Sequence, residues 1–192
     1  MAHGCDNAHM AQASQPPRVK MICGMIAANA GLLDEAAAEL AQLLGRVDFA
    51  SDTMTFDRTH YYSDQMGSTL LRRLVSFEPL HRADELPGVK VATNAIEQQF
   101  AQRHRFVMRP INLDPGYLEP SKLVLASMKN FSHRIYLGQG VFGEVTLLFH
   151  KEGWETLGWT FPDYARGEYF PFLTAVRTRL RNQLEQEGLR PC

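Results

Sequence analysis

Cysteine is scarce in this chain of 192 residues: Cys5, Cys23 and Cys192 are all there is, and none forms a C-x-x-C pair. That excludes a thioredoxin-like motif and the usual zinc spacing, so no metal site is expected, and it fits a reducing compartment. Charge of one sign is lacking as well. The 20 basic and 21 acidic residues give a formal net charge of -1, so nothing draws the chain as a whole to nucleic acid or to an anionic membrane. Any anion site must be local. No stretch reaches the roughly 18 apolar residues needed to span a bilayer, and residues 1–17 lack the apolar core of a signal peptide. The expected location is the cytoplasm.

Nucleotide-binding machinery is also missing. No G-x-x-x-x-G-K-[ST] occurs. Residues 138–145, GQGVFGEV, match the glycine loop of protein kinases, but no strand lysine, catalytic-loop Asp and Asn or D-F-G follows. The third glycine of a Rossmann turn should open a helix, whereas EVTLLFH continues as strand. Nucleotide binding in the manner of a kinase or a P-loop protein is therefore not expected, and the question of a cofactor stays open.

What is present is a chain with 45% hydrophobic residues, enough for one core. Residues 18–187 read as a single α+β domain, after a polar lead at 1–17 that cannot offset its ordering entropy and before a short tail at 188–192. VKMICGMIAA reads as a buried strand. An Asn29-Ala-Gly31 turn leads to a helix over 33–45, TMTFD and RRLVSFE read as strands, and a second helix covers 87–102. FVMRPINL at 106–113 reads as strand. This order matches a ferredoxin-like βαββαβ arrangement. KLVLAS, HRIYL and VTLLFH then suggest a β-meander before a last helix over 168–187, with Arg177, Arg179 and Arg181 on its solvated side.

Two local expectations concern turns. Asp114-Pro115-Gly116 has the residues of a type II turn. Between HRIYL and VTLLFH, a three-residue loop at 138–140 spares Gln139 a positive φ. It places Ile135, Leu137, Val141, Val145 and Leu147 on one face, sets Arg134 opposite Glu144 as an exposed pair contributing about 0.2–1 kcal/mol, and puts His133 on the apolar face. A two-residue loop would instead turn His133 toward Glu144.

The pieces FDRTHYYSDQMG, RRLVSFE, INLDPGYLEPSKLVLASMKNFSHRIYLGQGVFGEVTL and WTFPDY, in this order and spacing, resemble a prokaryotic family known only as a domain of unknown function, number 4416. The resemblance implies that the recurring polar positions are Asp57, Tyr61, Tyr62, Arg73, Asn112, Asp114, Tyr117, Lys122, Lys129, His133, Arg134 and Glu144. From these, the candidate ligand-binding set is Asp57, Tyr61, Tyr62, Arg73, Asp114, Tyr117, Lys122, His133, Arg134 and Glu144. The leading expectation is an anionic small-molecule ligand held by Arg134, Lys122 and Arg73 beside Tyr61 or Tyr62. A rival has Asp57, Asp114 and Glu144 hold a divalent cation for phosphoryl transfer or hydrolysis, with His133 as acid or base. A third makes the Tyr61-Tyr62 segment and the exposed hairpin face a docking site for a partner protein, with no small ligand.

Overall fold

β1 (Val19–Ala27) is buried along its entire length. Apart from Lys20, whose Nζ lies 2.6 Å from Asp48 Oδ2, it is apolar without alternation, as befits a sheet covered on both faces. The computed structural model describes residues 15–56, 66, 70–105, 108–151 and 153–188. In it Val19, Met21, Cys23 and Met25 enter one apolar cluster and Ile22 enters a second. Among the described residues no helix is long and apolar enough to cross a membrane.

Asn29 is the N-cap of α1 (Ala30–Leu44), its side chain accepting from the Leu32 N–H at 3.0 Å. The expected turn is thus the helix start itself, because an Asn side chain satisfies a free first-turn donor. β2 (Val47–Ala50), β3 (Met54–Phe56) and β4 (Leu70–His81) follow. α2 (Leu86–Arg103) then leads to β5 (Ile111–Glu119). The remainder comprises β6 (Lys122–Ser127), β7 (Ile135–Gly138), β8 (Val141–His150), β9 (Gly153–Thr156), a short α3 (Pro162–Ala165) and α4 (Phe170–Gln186).

These strands form one antiparallel sheet in the order β2-β4-β1-β5-β6-β8-β7, with β3 also on β4 and β9 also on β8. The run β2-β4-β1-β5, with its two helices, has the split βαβ order expected of a ferredoxin-like α+β core. The later strands are not a simple meander, since β8 lies between β6 and β7. Leu33 and Leu40 of α1 pack with Val89 and Phe100 of α2 on one face. Phe172, Val176, Leu180 and Leu184 of α4 cover the other, each such buried side chain contributing about 1.5–3 kcal/mol. Arg177 is not on a solvated side: its Nε donates to the Pro120 carbonyl at 2.6 Å and its guanidinium lies 3.6 Å over the Phe149 ring.

Three local readings are corrected. The strand expected over 106–113 starts at Ile111, and Asp114-Pro115-Gly116 continues it, Pro115 facing Cys23 and Gly116 facing Leu125. β6 pairs with β5 only from Gly116 onward, so the N–H that proline lacks falls where that ladder ends. Gly116 is needed for space, since a Cβ there would lie 2.3 Å from the Val124 carbonyl oxygen.

The β7–β8 loop has two residues, Gln139 (φ 54°) and Gly140 (φ 75°), between paired Gly138 and Val141. Two positive φ angles match the twist of a hairpin, which outweighs the cost at Gln139. A register shift at Leu137 then restores Ile135 opposite Gly143, so Arg134 and Glu144 still meet. Finally, β8 carries an extra residue at Thr146, between the pairs Leu123–Leu147 and Val124–Val145. That bulge puts Val145 and Leu147 on opposite faces, while Ile135, on the edge strand, is 73% exposed.

Candidate functional site

β5 pairs with β1 over 111–118 but with β6 only over 116–119. Before Gly116 the two strands part, and a cavity of about 450 Å³ opens between them. The backbone groups freed by that parting are taken by side chains of α2. Glu97 Oε1 accepts from the Leu113 N–H at 2.7 Å, and Lys90 Nζ donates to the Leu113 carbonyl at 2.8 Å. Arg109 donates to Glu97 Oε2 at 3.2 Å and to Asn112 Oδ1, and Asn112 Nδ2 donates to Asp114 Oδ2 at 2.8 Å.

A second wall is built around Arg72, which is 4% exposed. Its Nη1 lies 2.8 Å from Asp163 Oδ2 and its Nη2 donates to Tyr164 Oη at 3.2 Å. The rings of Phe56, Tyr164 and Tyr169 stand 5.2–5.5 Å from the guanidinium carbon. Gly24 admits it, because a Cβ there would lie 2.8 Å from Arg72 Nη2. Burial works against this charge, but the oxygens of Tyr164, Asp163, Tyr169 and Asp114 outweigh it and raise the guanidinium pKa. Burial likewise pushes both phenols, Tyr164 and Tyr169, well above their ordinary values.

Arg134 forms a third wall. Its Nε donates to Glu144 Oε2 at 2.7 Å, and its Nη1 to Ser127 Oγ at 2.9 Å and the Lys129 carbonyl at 2.8 Å. The pair is buried, with side-chain exposures of 10% for Arg134 and 1% for Glu144, so the expectation of an exposed pair is overturned. Thr146 Oγ1 donates to Glu144 Oε1 at 3.4 Å, and Ser127 Oγ and the Lys129 carbonyl accept from Arg134.

Of the candidate residues, Asp114, Arg134 and Glu144 line this cavity, together with Asn112 and Lys129. His133 sits behind Glu144, its Nε2 3.1 Å from Oε2, with its ring stacked on Trp159 at 5.3 Å. It therefore lies off the apolar face on which the longer loop would have placed it. Arg73 faces away from Arg72 and pairs with Asp34 at 2.5 Å. Lys122 pairs with Glu119 at 2.6 Å by the β5–β6 turn. Tyr117 packs on the α1–α2 cluster, where burial pushes its phenol up to about 12. Asp57, Tyr61 and Tyr62 lie outside the described residues. Among the described residues no group of three or more His, Cys, Asp or Glu is placed to hold a metal ion.

Residues 17–180 match the family described as Domain of unknown function (DUF4416). The chain belongs to the DUF4416 family. No curated protein and no solved structure matches it.

In this DUF4416 domain the cavity draws on residues that strand and helix patterns hide: Arg72, Lys90, Glu97, Arg109, Asp163 and Tyr164. The signal that could have found two of them is phase. Arg72 shares a strand face with Leu70 and Leu74, and Lys90 sits on α2 three residues before buried Thr93.

Burial raises the Glu97 pKa, although Lys90, the Leu113 N–H and Arg109 pull it down. A carboxyl raised in the folded state contributes stability below its unfolded pKa and loses it as pH rises through the folded value. Glu97→Gln should therefore gain on the wild type as pH rises from the ordinary glutamate pKa of about 4.3. Urea midpoints across that acid range test this, and parallel curves would refute it.

Proposed function

We propose that this domain binds a small organic anion in the cleft where β5 and β6 part. The supporting observation is Arg134: Nε and Nη1 are anchored by Glu144, Ser127 and Lys129, while Nη2 makes no hydrogen bond among the described residues. A guanidinium held by a carboxylate on one edge is preorganised to take a carboxylate or phosphate on another. Lys90 adds a buried ammonium whose hydrogen bond, to the Leu113 carbonyl, engages one of its three donors. The cavity volume, about 450 Å³, falls within the roughly 300–1,000 Å³ common for small-molecule sites.

Thermal denaturation with benzoate, 3-phenylpropanoate and inorganic phosphate tests this. A ligand at a hundred times its Kd adds about 2.7 kcal/mol, a rise of roughly 5–10 °C for a chain of this size. The variant to compare is Arg134→Gln/Glu144→Gln, because removing Arg134 alone strands a buried carboxylate at a cost of roughly 3–5 kcal/mol. The paired variant should stay folded and bind at least about tenfold more weakly, or 1.4 kcal/mol. No stabilisation by any of the anions, with Arg134→Ala rescued by Glu144→Gln, would leave a purely structural pair.

A further inference from the structure

The cavity wall carries four carboxylates, and three of them have a cation within 4.0 Å: Asp163 has Arg72 at 2.8 Å, Glu97 has Arg109 at 3.2 Å and Glu144 has Arg134 at 2.7 Å. Asp114 has none among the described residues. Its hydrogen bond comes from Asn112 Nδ2, an amide oriented by Arg109 through its own oxygen. Arg72 feels the charge of Asp114 without touching it. An ionised carboxylate in a partly enclosed cavity is costly unless something there compensates it.

Among the described residues Lys90 Nζ, which donates to the neutral Leu113 carbonyl, likewise has no carboxylate within 4.0 Å, and Arg134, balanced by Glu144, still has Nη2 without a hydrogen bond. One cavity thus holds an ammonium and a carboxylate that both lack an ion-pair partner. It also holds an apolar stretch from Ile26, Leu125 and Phe161. A simple anion would answer the cations and be repelled by Asp114. A molecule with a carboxylate and an ammonium on one short skeleton answers both.

Resting on the anion-binding reading above, we infer that the ligand is a zwitterion of the amino-acid class, its carboxylate toward Arg134 and Lys90, its ammonium toward Asp114 and its apolar side group along Leu125 and Phe161. Asp114 then sets specificity: it selects the amine-bearing ligand over the corresponding acid.

Calorimetric titration of the full chain with L-phenylalanine, 3-phenylpropanoate and 2-phenylethylamine separates these terms, since the second lacks the ammonium and the third the carboxylate. L-phenylalanine should bind about tenfold or more tighter than either, an extra 1.4 kcal/mol. Asp114→Asn, which keeps an oxygen for Asn112, should erase that advantage, weakening L-phenylalanine while 3-phenylpropanoate, relieved of the carboxylate's repulsion, binds at least as tightly as to the wild type. If 3-phenylpropanoate equals L-phenylalanine on the wild type, or Asp114→Asn leaves their ratio unchanged, the zwitterion is refuted while anion binding stands. If none of the three binds but phosphate does, the amino-acid class is again refuted. If no anion binds, both ideas fall. Should Asp114→Asn not fold, the wild-type ranking of the three probes decides.

Discussion

Arg72→Met should lower the thermal midpoint by roughly 6–20 °C, the equivalent of about 3–5 kcal/mol in a domain of this size. The methionine fills much of the volume but abandons Asp163, a carboxylate whose other partner is the Tyr169 hydroxyl at 3.3 Å. It also strips a cation from three aromatic rings. Most of the loss should therefore come from a stranded charge rather than from missing packing. Arg72→Met/Asp163→Asn removes that charge and should recover at least half of the midpoint. A single variant within about 2 °C of wild type, under 1 kcal/mol, would show that the guanidinium contributes nothing net to the fold. Recovery failing in the double variant would shift the cause to the rings.

The second large effect is expected at Gly116. Its φ is not positive, so the backbone conformation does not require glycine; the Val124 carbonyl oxygen, 2.3 Å from where a Cβ would stand, does. That obstacle is main chain and cannot rotate away. Gly116→Val must push β6 off β5 where only residues 116–119 hold the strands together. The cost should exceed the roughly 1–3 kcal/mol of ordinary overpacking, and the cavity beside the joint should lose any ligand. Gly140→Ala makes the contrast. At φ 75° with open space around it, it should cost only about 1–2 kcal/mol. If Gly140→Ala proves the worse of the two in chemical denaturation, crowding at the joint is not what fixes Gly116.

These two sites mark what sequence patterns convey and what they conceal. β1 was legible because a strand buried on both faces has no alternation to misread, and α4 because its apolar positions recur on one face. The Arg134–Glu144 meeting was also legible, since strand opposition depends on register, which survived a wrong loop length through the shift at Leu137. Pro115-Gly116 misled because turn statistics record local backbone preference, whereas here a neighbouring strand's approach and the end of a ladder decide. Arg72 and Lys90 stayed hidden for a different reason. A lone charge at a core phase reads as a solvated exception until Asp163 or the Leu113 carbonyl, distant in sequence, is seen beside it. The burial of the Arg134 pair was equally invisible, because it depends on what closes over β8.

The central place of β1 in the strand order has a consequence during synthesis. It emerges first of the described strands, yet its neighbour β5 is not complete until Leu118 has been added opposite Lys20. At ribosomal speeds the wait is on the order of 10 s. Through that interval a strand that is apolar apart from Lys20 can be paired by β4 on one side only, with its other edge open as a template for neighbouring chains. The nascent chain therefore carries its greatest aggregation hazard well before its last strand appears, and a holdase that occupies this edge should raise the yield of folded protein more than one that acts after release.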